Sequence, residues 1–117
     1  MLHQPQVDIV FYRKGTIMLI NSQTDLTVSL EGGSLTNVGG YPKYWVCKDG
    51  TILSYKAVYD NLQLVRNAIT NDETIDSDPN WCVIACEINY ENDYLGCDHT
   101  NTVIPSAYGG MEDSQHL

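Results

Sequence analysis

A single helical stripe limits most tightly what this chain can fold into. Between Tyr55 and Thr70, the residues Val58, Leu62, Val65 and Ile69 recur at helical spacing and so share one face. Ser54 stands where an N-cap belongs, and Asn71 can close the last turn in the left-handed conformation. The other apolar runs are short and rich in β-branched and aromatic residues, which suits strands. The pattern predicts an α+β domain over residues 1–117: an N-terminal antiparallel β-meander, a second hairpin, one amphipathic helix and one long C-terminal strand.

The meander is expected over 1–31. Val7–Tyr12 and Thr16–Ile20 flank the short loop Arg13-Lys14-Gly15, and Asp25–Glu31 alternates so that Leu26, Val28 and Leu30 face the core. Glycine pairs at 32–33 and 39–40, followed by Pro42, mark 32–42 as a connector. A hairpin turning at Lys48-Asp49-Gly50 opens the 43–109 module. The run Trp81–Tyr90 reads as a strand with Cys82, Ile84, Cys86 and Ile88 on one face, and 110–117 as a frayed tail.

Charge is divided unevenly along the chain. Residues 1–66 hold five acids and six bases, whereas residues 67–117 hold ten acids and no Lys or Arg, so the net charge of −9 belongs to the second half. That balance argues against direct nucleic-acid binding, which needs a basic surplus. It suits a surface that seeks a basic partner. The candidate partner-binding residues are Asp72, Glu73, Asp76, Asp78, Glu91, Asp93 and Asp98. The acids in 71–80 lack the ligand order, central glycine and closing glutamate of a calcium loop. No apolar run is long enough for a bilayer span, and no cationic region leads into an apolar stretch at the N-terminus, so a cytoplasmic protein is expected.

Chemistry-bearing residues are few. His3 and His116 lie near the ends, which leaves His99 as the one histidine expected to be ordered, and the sequence places no base within assured hydrogen-bond reach of a nucleophile. The glycine pairs lack the Lys-Ser/Thr of a phosphate loop. No catalytic residue is expected. Cys97 and His99, joined by Cys47, are the candidate zinc ligands, but they fall short of the four that a tetrahedral site needs, so no cofactor is expected.

Residues 44–109 resemble a family of small uncharacterised zinc-ribbon-like proteins of bacteriophages and bacteria. The resemblance is carried by Asp49-Gly50-Thr-Ile-Leu53, by Trp81 with Asn89-Tyr90-Glu91, by Cys97-Asp98-His99 and by Ile104-Pro-Ser106-Ala107-Tyr108-Gly109. Where that pattern has Cys-x-x-Cys this chain has Ser54-Tyr-Lys-Ala57, and where it ends in Cys-Asp-His-Cys this chain has Thr100. The resemblance thus implies a ribbon-like module that has lost three of four ligands and must replace the metal by packing. Three functions follow as expectations. The first is a viral or mobile-element accessory protein, a counter-defence inhibitor that binds a basic partner. The second is a protein-interaction module using the eight Tyr and two Trp as anchors. The third is a small enzyme of unknown reaction. A homodimer through an open sheet edge is also compatible with the pattern.

Overall fold

Two strong local signals, the Asp-Gly turn and the Ser54 cap, set the middle of the chain. In a computed structural model that describes residues 17–37, 39–70 and 78–108, Gly50 takes a positive φ of 92° and Asp49 accepts from Thr51 N at 2.9 Å. The turn joins β2 (Lys43–Cys47) to β3 (Ile52–Leu53), pairing Trp45 with Leu53. With β1 (Ile17–Leu19) and β4 (Val83–Ile88) they form an antiparallel sheet of order β1-β4-β2-β3. Among the described residues, three helices complete an α+β fold: α1 (Gln23–Ser29), α2 (Tyr55–Asp60) and α3 (Leu62–Thr70).

The first correction concerns residues 25–31, expected as a strand. They lie in and just after α1, so no meander forms from the described residues and β1 pairs with β4 instead. Ser22 caps the helix by accepting from Asp25 N at 3.1 Å, while the Asp25 carboxylate accepts from Asn21 N at 2.9 Å. Leu26 and Leu30 satisfy helical spacing as well as alternation, so periodicity alone was ambiguous. The tertiary partner decides: Trp45 Nε1 donates to Ser29 Oγ at 2.9 Å, and Ser29 Oγ donates to Leu26 O at 2.7 Å. Only a helix stacks Ser29 beside Leu26 on the core side.

The expected single helix is two. Asn61, at φ −120° and ψ 31°, breaks the stripe, and its Nδ2 donates to Ala57 O at 2.9 Å. The bend seats both Val58 and Val65 fully in the core. Within the 81–90 run the strand is Val83–Ile88, and its pairing with β2 slips between Val46 and Cys47, leaving Ile84 as an extra residue. Ile84 is therefore turned outward, 41% exposed, and does not share the core face with Cys86 and Ile88. The expected strand Val7–Tyr12 and the tail 110–117 lie outside the described residues.

The core lies between the helices and one sheet face, around Met18, Leu26, Trp45, Leu53, Val65 and Cys86. Lys43 belongs to that same face and is only 3% exposed. Its Nζ donates to Ser29 O at 2.7 Å and to Glu31 O at 2.8 Å, satisfying carbonyls at the C-terminal end of α1. Burial lowers the Lys43 pKa, with the charges of Cys86 and Glu31 opposing. Lys43→Met, which keeps the stem but strands the buried Ser29 carbonyl and the half-buried Glu31 carbonyl, is expected to cost roughly 1–3 kcal/mol. Urea denaturation checks this, and an unchanged midpoint contradicts the role given to Lys43.

Candidate functional site

After β4 the chain turns back under its own sheet, and one asparagine fixes the turn. Asn89 Nδ2 donates to Asn92 O at 2.9 Å, Ile104 O at 3.2 Å and Pro105 O at 2.9 Å, while Asn89 Oδ1 accepts from Asn92 N at 3.0 Å. Gly96 bridges Val103, with Cys97 N donating to Thr102 O at 2.8 Å. Asp98 then clasps the outer side of β3: its N–H donates to Ile52 O and its Oδ2 accepts from Ile52 N, both at 2.8 Å.

This clasp carries Cys97 beneath the first turn of α2. Ser54 N donates to Cys97 Sγ at 3.3 Å, and Ser54 Oγ accepts from Ala57 N at 3.2 Å as the helix cap. Burial opposes ionisation of Cys97, yet hydrogen bonds from Thr100 and Ser54 outweigh it and hold the thiol below its ordinary value. Ser54, Ala57, Cys97 and Thr100 therefore meet in one place, bonded to one another. They are the four positions that the zinc-ribbon resemblance singles out. With one thiol, two hydroxyls and a methyl they do not make a tetrahedral zinc site.

The other candidate ligands stay apart. His99 packs edge-on against Trp81 with ring centroids 5.1 Å apart. Cys47 lies on the buried face of β2, where burial first, and then Asp49, Cys82, Asp78 and Asp98, push its thiol up to about 12. Among the described residues no group of three or more His, Cys, Asp or Glu is placed to hold a metal ion.

The acidic candidates among the described residues fall into two groups. Asp72, Glu73 and Asp76 lie outside the described residues. Asp78 precedes β4 and sits with Asp49 and Asp98 close enough to act on Cys47. Glu91 and Asp93 follow β4, whose six residues span ~20 Å at strand rise. Asp93 accepts from Ser106 Oγ at 2.7 Å, so Asp93 and Asp98 both serve the fold. Sequence reasoning missed the roles of Asn89, Asp98 and Lys43. A polar residue inside an apolar strand pattern was the available signal for Lys43 and Asn89, while Asp98 gave none. No protein-family model matches the chain, and no curated protein or solved structure does.

Cys97→Ala is expected to destabilise the fold by about 1–3 kcal/mol, through lost packing and the stranded Ser54 and Thr100 donors. Because the folded-state pKa is depressed, the thiolate contribution is fully present above the ordinary value of 9.0 and is lost as pH falls through the folded value. The stability gap between wild type and Cys97→Ala should widen as pH rises toward 9. Urea titrations across that range check it, and a gap independent of pH contradicts the ionised thiol.

Proposed function

We propose that the chain is a non-enzymatic protein-interaction module, an accessory protein on a zinc-ribbon-like frame that does without its metal. The Ser54–Cys97 contact of 3.3 Å carries this reading, because it closes the four ligand positions on one another through the chain's own donors. Cys97, at 2% exposed, is sealed from substrate, and His99 is engaged with Trp81. Several large apolar side chains among the described residues are left exposed. On β1, Ile17 and Leu19 are exposed, and Leu19, 64% exposed, pairs with Ala85 of β4 next to the exposed Ile84. Apolar side chains grouped on an open face are the usual mark of a protein contact.

Two experiments test the two parts. Replacing Ser54, Ala57 and Thr100 together by Cys should create a site for one zinc per chain, raising thermal stability by a chelator-sensitive amount. Wild type should show neither effect, and a triple variant that ignores zinc sinks the ribbon reading. A photo-crosslinker at Leu19 should capture a discrete protein in cells that make this chain natively. Ile84→Lys should lose that product while remaining folded, and capture that ignores Ile84→Lys contradicts the assigned face.

A second reading, inhibition of a basic viral or host partner, is favoured by the grouping of Asp49, Asp78 and Asp98 around Cys47. It requires that Asp49→Asn with Asp78→Asn weaken capture and that added salt do the same. Asp98 is left intact in that test because it holds β3.

A further inference from the structure

A cleft of about 330 Å³ lies along the segment Thr102–Pro105, on the side where it meets the start of α2 and the Leu35–Pro42 connector. Its apolar walls are Leu35, Pro42, Tyr55, Val103, Ile104 and Pro105. Val103 is the centre of the bridge to Gly96, yet both hydrogen bonds of that bridge belong to its neighbours: Thr102 O accepts from Cys97 N, and Ile104 N donates to Leu95 O, each at 2.8 Å. In an antiparallel pair this leaves the central N–H and C=O directed away from the partner. Those of Val103 have no hydrogen-bond partner among the described residues. Leu35 stands in the same position in its bridge to Pro42, where Thr36 and Ser34 make the bonds. The side chains of Val103 and Leu35 are 64% and 43% exposed.

The charge of the cleft is the reverse of the chain's. Its wall holds Lys43 and Lys56 and no acid, whereas the cavity on the far side of Val103–Pro105 holds Asp93 and the one by Trp81 holds Asp98. Lys43 is committed to α1, but Lys56 is bound only to Asp60, one turn along the exposed face of α2, a pair that solvent weakens and that an incoming carboxylate can replace.

We propose that this cleft is a second docking surface of the interaction module for the same partner, and that it takes an extended peptide segment of that partner, apolar with an acidic residue. The segment adds as a strand to Val103, receiving its N–H and donating to its C=O. One apolar side chain enters between Leu35 and Tyr55, and a carboxylate meets Lys56. Pro42 and Pro105 limit the pairing to a single residue, so affinity for a short peptide is on the order of 0.1–1 mM. This inference rests on the interaction-module reading and adds to it a second surface and the chemistry of the partner.

The probe is a blocked hexapeptide of alternating valine and threonine carrying one aspartate, titrated into the full chain and followed by amide chemical shifts. Saturable shifts at residues 34–35, 54–56 and 102–105 are expected. Methylating the backbone nitrogen of the central valine should weaken binding at least tenfold, exchanging aspartate for lysine should weaken it several-fold, and Lys56→Glu should reverse that charge preference. Lys56 is exposed, so this variant keeps its fold. Absence of shifts at millimolar peptide, shifts elsewhere, or indifference to both methylation and charge overturns the proposal. The two readings fail separately. A partner crosslinked from Leu19 whose capture survives Lys56→Glu and excess hexapeptide overturns the cleft and leaves the module standing.

Discussion

The fold turns on one buried polar contact between the sheet and its first helix. Trp45 and Lys43 project from the same face of β2 into the core, and each carries a hydrogen-bonding group that water cannot reach. Ser29 answers both, the hydroxyl accepting from the Trp45 indole and the carbonyl accepting from Lys43 Nζ. Leaving either donor unpaired in the interior costs more than the net gain of an ordinary hydrogen bond. The requirement therefore constrains α1 in position and rotation, and with it the connector that leads back to β2. Leu26 and Val65 then fill the space that this arrangement leaves.

The C-terminal third follows the same logic with a different donor. Asn89 binds three carbonyls and one backbone N–H, so the segment after β4 is tied to the strand it left. Asp98 ties it again to β3. Once both clamps are in place, Cys97 has one location, under the Ser54 cap. The cluster that results is held by hydrogen bonds from protein to sulfur. Part of the acidity is spent on the fold: Asp93 and Asp98 accept hydrogen bonds that the fold needs.

Much of the middle of the chain was legible in advance because its determinants are local. A glycine at positive φ after Asp49 and a serine cap at Ser54 act within a few residues, and both hold in the structure. Residues 25–31 were misread because Leu26, Val28 and Leu30 meet the period of a strand while Leu26 and Leu30 also meet that of a helix. The break at Asn61 was hidden inside a valid stripe, and the outward turn of Ile84 depends on a slip in pairing that no strand reveals alone. At the candidate site, the motif comparison named Ser54, Ala57, Cys97 and Thr100. Only their hydrogen bonds, made across 43 residues of chain, showed that they meet.

By itself the sequence determined the elements that short-range chemistry dictates: the β2–β3 hairpin, the cap and apolar faces of α2 and α3, the run that contains β4, and the confinement of net negative charge to the second half. The tertiary structure alone decided that α1 is a helix, that Asp78 and Asp98 come together near Cys47, and that Val103 keeps an open backbone edge beside Lys56. The reason is common to all three. Each depends on which buried or edge group finds a partner far along the chain, and a residue's period and composition carry no record of the donor or acceptor that will be folded against it.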